Sequence, residues 1–147
     1  MQCWGDNFHG ELGSNNTTQS NVPVQPAGLT SDVRAVAAGE PHSCAVVNGG
    51  AQCWGNNDLG QLGNNSTAQS TVPVQVTGLT IGATSVSAGG GHSCALVNGG
   101  VQCWGSNGNG QLGTNSTTTS LVPVQPTGLT GAVTAISAGY SHSCERR

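Results

Sequence analysis

Three histidines, His42, His92 and His142, each stand two residues before a cysteine: Cys44, Cys94 and Cys144. The pairs lie 50 residues apart. Three more cysteines, Cys3, Cys53 and Cys103, keep the same spacing, each followed by a tryptophan: Trp4, Trp54 and Trp104. Imidazole nitrogens with thiolates could hold zinc, two thiols could close a disulfide, and a histidine beside a carboxylate could move protons. None of the carboxylates Asp6, Glu11, Asp32, Glu40, Asp58 and Glu145 recurs in all three copies. A catalytic group would need an accident of folding, so the chain reads as a non-enzyme with no catalytic residues.

The cysteines are explained by the turn between them. In "AVVNGGAQ", Asn48-Gly49 separates two short apolar runs and signals a two-residue hairpin. Counting outward from that turn puts Cys44 opposite Cys53 in a non-hydrogen-bonded pair, where the backbones come closest. A cross-strand disulfide follows there, and the same count joins Cys94 to Cys103. The rival reading is a metal held by His42, Cys44 and Cys53 on one face of the hairpin. That spacing fits no common zinc motif, and free thiols are the remaining alternative. Regular pairing points to an oxidising compartment, extracellular or periplasmic.

The elements that carry these residues repeat as well. "QCWG" begins at Gln2, Gln52 and Gln102; "VPVQ" at Val22, Val72 and Val122; "GLT" at Gly28, Gly78 and Gly128. The period divides the chain into units 4–53, 54–103 and 104–147, the last completed by residues 1–3 of this or another chain. Four strand candidates recur: "VPVQ", "VRAVAA", "HSCAVV" and "AQCW". Proline inside the first makes it an edge strand. A period near 50 with such strands is typical of propeller blades, which predicts an all-β propeller of four-stranded antiparallel blades. Both faces of the central hairpin are small or apolar, so each sheet is expected between two others. Trp4, Trp54, Trp104, His42, His92 and His142 then read as inter-blade residues, with the histidines bridging backbone groups.

Other functions are poorly supported. The 147 residues include no lysine, only three arginines and a net charge of −3, which leaves no basic stripe for nucleic acid. No apolar run would span a membrane, and Met1-Gln2-Cys3-Trp4 is not an export signal. "GELG" and "GQLG" lack the lysine and helix of a phosphate loop, so no cofactor is implied. In these segments Leu12, Leu62 and Leu112 are expected to point inward. The Ser/Thr/Asn loops carry glycosylation sequons at Asn15, Asn16, Asn64, Asn65 and Asn115 and read as solvated.

The phrase "CWG-x-N-x-x-G-Q-L-G … VPVQ … GLT … HSCAL" resembles the regulator-of-chromosome-condensation repeat in its cysteine-containing, bacterial extracellular form. Trp104, Gly105, Asn107, Gly110, Gln111, Leu112, Gly113, Pro123, Gly139 and His142 fall on its motif positions. The resemblance implies a β-propeller, usually of seven blades, and binding of other proteins through rim loops. Its members include a nucleotide-exchange factor for a small GTPase and a secreted β-lactamase inhibitor. Fold alone transfers neither partner.

Three repeats are too few to close a propeller. The chain is cut at a hairpin turn, and the expected remedy is a composite blade in which Cys144 meets Cys3 of another copy. Two copies would give a six-bladed dimer, and non-closing contacts would give a head-to-tail filament or surface layer. A third alternative is a piece of a longer propeller. Glu145, Arg146 and Arg147 replace Ala95, Leu96 and Val97, and are expected to fray or turn outward. Variable loops flank the strands, and Phe8, His9, Glu40 and Tyr140 are the candidate protein-binding side chains.

Overall fold

The computed structural model describes all residues 1–147. The strands, in chain order, are β1 (Cys3–Gly5), β2 (Ser20–Val24), β3 (Val33–Ala38), β4 (His42–Val47), β5 (Gly50–Gly55) and β6 (Ser70–Gln75). They continue with β7 (Ala83–Ala88), β8 (His92–Val97), β9 (Gly100–Gly105), β10 (Ser120–Val124), β11 (Ala135–Ala138) and β12 (Ser143–Arg146). They form two antiparallel four-stranded sheets, β3-β4-β5-β6 and β7-β8-β9-β10, and two half-sheets, β1-β2 and β11-β12. The architecture is all-β and made of propeller blades. The proline-bearing strands β2, β6 and β10 all lie on sheet edges, where the missing N–H costs no ladder bond.

The turns explain the register. Asn48 and Gly49 both take positive φ, 52° and 79°, and Asn98 and Gly99 repeat this at 51° and 79°. Such a turn matches the right-handed strand twist and places Cys44 opposite Cys53, and Cys94 opposite Cys103. Both pairs are disulfides. Every residue of β4 is buried, so that sheet is covered on both faces.

Neighbouring sheets stack through their first strands, β3 against β7 and β7 against β11. The approach is close enough to require glycine: a Cβ on Gly39 would stand 2.6 Å from the Gly89 carbonyl oxygen. Between the sheets lie apolar cores. The largest gathers Cys44, Val46, Cys53, Leu62 and Trp104 among others, all almost fully removed from solvent. Leu12, Leu62 and Leu112 point inward, as their loops required.

The tail meets only half of its expectation. β12 continues in register to Arg146, which pairs with Ala135, and the Arg146 carbonyl accepts from Thr134 N at 2.7 Å. The segment does not fray, because β11 supplies backbone partners on one side. The Arg146 side chain is exposed. The charge in the covered position belongs instead to Glu145, paired with Arg147 at 3.1 Å.

Candidate functional site

Each sheet joins the next through a polar contact built from three elements. Trp104 on β9 donates its indole N–H to the Gln61 carbonyl at 2.8 Å, and Ser93 on β8 donates its hydroxyl to the same oxygen at 2.9 Å. Gln61 lies in the β5–β6 loop of the preceding sheet. Ser93 Oγ also meets His42 Nε2, from β4 of that sheet, at 2.7 Å. Since the serine proton goes to the carbonyl, the histidine must donate from Nε2. Its Nδ1 is then unprotonated, and it is buried without a partner.

The contact recurs every 50 residues, with a different part missing at each end. At the N-terminal side, Trp54 Nε1 and Ser43 Oγ donate to the Glu11 carbonyl at 2.7 and 2.9 Å, while no imidazole reaches Ser43. At the C-terminal side, Ser143 Oγ donates to the Gln111 carbonyl at 2.8 Å and meets His92 Nε2 at 2.9 Å, with no indole on that carbonyl. The expectation that the histidines bridge backbone groups is therefore corrected: their partners are serine hydroxyls, which relay the bond to the backbone.

Burial sets the charge state. It pulls the His42 pKa down to about 4, and the nearby His92 adds to the shift. His92 is lowered too, first by burial and then by His142. Both are therefore neutral structural donors at pH 7.

The outermost members of the repeating sets lie elsewhere. Trp4 is 64% exposed, so it is not an inter-blade residue within this chain. His142, in the same way, is exposed. Cys3 and Cys144 are free thiols, one half-buried and one exposed. Burial pushes the Cys3 thiol up, opposed in part by the N-terminal charge. Beside β12 lies a cavity of about 310 Å³ lined by Cys94, Leu112, Gly113, His142 and Cys144, among others. Beside β1 lies one of about 370 Å³, lined by Cys3, Trp4, Val36 and Ser43, among others. No group of three histidine, cysteine or carboxylate side chains gathers as a metal site.

The role of one repeated asparagine, noted in the sequence only as the motif position Asn107, escaped the sequence reading. Asn7, Asn57 and Asn107 are fully buried. Asn57 Oδ1 accepts from Leu62 N at 2.9 Å, while its Nδ2 donates to the Ser66 and Ala68 carbonyls at 2.9 and 3.0 Å. This asparagine closes the long loop so that the Gln61 carbonyl faces the next sheet. Its recurrence two residues after each "WG" was the available signal.

The candidate binding side chains share one rim. The Pro41 carbonyl accepts from Asn56 N at 2.8 Å, and His9 Nδ1 lies 3.4 Å from Asn56 Nδ2, which ties the His9 and Glu40 loops together. Phe8 is 75% exposed and packs edge-on to His9, while Glu40 is exposed nearby. Tyr140, 72% exposed, is farther along, against Gly90.

The description "Regulator of chromosome condensation (RCC1) repeat" matches residues 3–46, 48–96 and 98–144, and a second model of that description matches 33–61 and 83–111. Among solved structures, human WBSCR16 is similar at 27% identity with a TM-score of 0.81, covering 97% of this chain and 38% of that one. Prp20p from Saccharomyces cerevisiae, a protein that binds Gsp1p and histones, is similar at 23% identity with a TM-score of 0.80. That match covers 98% of this chain and 38% of Prp20p, and at this identity it speaks to the fold alone. No curated protein matches the chain in sequence. The chain thus spans under two fifths of the length of these solved structures.

Proposed function

Because the chain belongs to the regulator of chromosome condensation repeat family, we propose that it is a non-enzymatic propeller module that binds proteins and assembles head to tail with copies of itself. The observation that carries this reading is the pair of half-sheets. β11-β12 has the two strands that β1-β2 lacks, and together they make the four of each complete sheet. In the complete sheets the register is His42 opposite Gly55, Ser43 opposite Trp54 and Cys44 opposite Cys53. Carried across copies, it sets His142 against Gly5, Ser143 against Trp4 and Cys144 against Cys3. The joint is β-strand addition in which backbone bonds give affinity and side chains set the register.

Two disulfides in so small a chain support work in an oxidising compartment, extracellular or periplasmic. There an external disulfide oxidant takes two electrons and two protons from the Cys3 and Cys144 thiols, which close the third, intermolecular bridge. The rim bearing Phe8, His9, Glu40 and Tyr140 is the surface for a partner protein, held on a rigid scaffold.

Sedimentation with and without reductant tests the reading. A dimer, or a ladder of larger species, is expected at micromolar concentration. A monomer under both conditions overturns self-assembly. Rim binding is tested separately, by capture with the Phe8→Ala/Tyr140→Ala double variant as the control.

A further inference from the structure

We infer that the cavity beside Gly113 is a socket for an indole, filled by Trp4 of a second copy. The inference rests on the head-to-tail reading and adds the side chain that anchors it. Two apolar cores can be compared position by position. Cys44, Val46, Ala51, Cys53, Leu62 and Ala83 of the first correspond, 50 residues on, to Cys94, Leu96, Val101, Cys103, Leu112 and Val133 of the second. The first core is capped by Trp104; the second has no aromatic side chain.

The polar half of the socket is also formed. Glu11 and Gln61 carbonyls each accept two side-chain donors, an indole and a serine. The Gln111 carbonyl accepts the serine alone. Glycine marks the indole's bed: a Cβ at Gly63 would come 2.7 Å from Trp104 Nε1, and one at Gly13 would come 2.9 Å from Trp54 Nε1. At Gly113 the three nearest atoms all belong to Pro126, the closest being Cβ at 3.1 Å, and no indole is among them.

The occupant is specified by the chain itself. Trp4 lies in "QCWG", the phrase that carries Trp54 and Trp104 into their seats, and it is the one tryptophan left exposed. Seating it places the indole N–H on Gln111 O and Cys3 beside Cys144 in one register. It also brings His142 toward Ser43 of the arriving copy, a serine that lines the cavity beside β1 and bears no imidazole. Three contacts that recur inside the chain are thus completed by one docking geometry.

The test is self-association of wild type, Trp4→Phe and Trp4→Ala by sedimentation in reducing buffer, which removes the disulfide from the comparison. Exposure of Trp4 means neither change should disturb the monomer. Trp4→Ala is expected to weaken association roughly a hundred-fold, and Trp4→Phe by about ten-fold, through loss of the N–H donor. Association of Trp4→Ala as tight as wild type overturns the socket while leaving head-to-tail assembly standing. Should wild type stay monomeric, a peptide of residues 1–8 titrated into the Trp4→Ala chain decides: binding that needs its tryptophan keeps the socket and removes self-assembly. No binding by that peptide removes both.

Discussion

The indole of Trp104 and the hydroxyl of Ser93 donate to one acceptor, the Gln61 carbonyl, from opposed positions on β9 and β8. A paired hairpin in one sheet thus grips a single backbone oxygen in the sheet before it. The grip works because Asn57 and the glycines shape the loop, and because burial denies that carbonyl any competing water.

Trp104→Ala should therefore unfold the joint while Trp4→Ala leaves the monomer intact. Denaturant titration is expected to show a loss of about 3–5 kcal/mol for the first and under about 0.5 kcal/mol for the second. Similar losses at both positions would contradict the assignment of Trp4 as the unburied member.

Ser93→Ala removes the oxygen that receives His42 Nε2–H and the proton given to Gln61. An imidazole donor would then be buried without an acceptor, at a cost of about 1–3 kcal/mol. Ser43→Ala, at a serine no imidazole reaches, should cost the monomer less. The ratio of the two losses, read by urea unfolding, is the check.

Acid should weaken the fold through its histidines. An unfolded His42 takes a proton near pH 6.5, but the folded one stays neutral until about 4, for the reasons of burial and the neighbouring His92. The unfolded state therefore binds more protons between these values. Stability is complete above pH 6.5 and declines as pH falls toward about 4, by on the order of 3 kcal/mol from this residue. His92 acts in the same direction. A His42→Gln variant, which keeps a donor, should show a flatter profile across that window.

Glu145 would oppose the proposed joint between copies. Its counterparts Ala45 and Ala95 are fully buried in the cores that hold Trp54 and Trp104. One Glu145 carboxylate oxygen is buried without a hydrogen bond. Glu145→Ala should tighten self-association by about ten-fold, since an indole then meets a methyl instead of a charge. Weaker association would show that the acid has a partner in the assembled form.

Much of this was legible in the residues, for reasons that differ by feature. The Asn-Gly turns determine register through backbone conformation alone, so the cysteine pairs followed by counting. Pro23, Pro73 and Pro123 marked edges because proline has no N–H to give. The serine partners of the histidines were not legible. Pairing across sheets, such as His42 with Ser93, depends on how far one sheet is offset from the next, which no local pattern reports. The buried role of Asn57 was hidden for a similar reason: its bonds reach 5 to 11 residues along a loop with no regular period. The tail was legible in part: the Arg146 side chain turns outward as its charge required, while the backbone does not fray because it pairs with β11.

The central claim is that the half-sheets at the two ends complete one another between copies. Its most direct test mixes unlabelled and ¹⁵N-labelled chains, refolds them under oxidising conditions, and maps disulfide-linked peptides by mass spectrometry. The account predicts Cys3–Cys144 peptides of mixed isotope origin in species of at least twice 14.6 kDa, with both thiols consumed. A 14.6 kDa monomer in which Cys3 and Cys144 both remain titratable would contradict it.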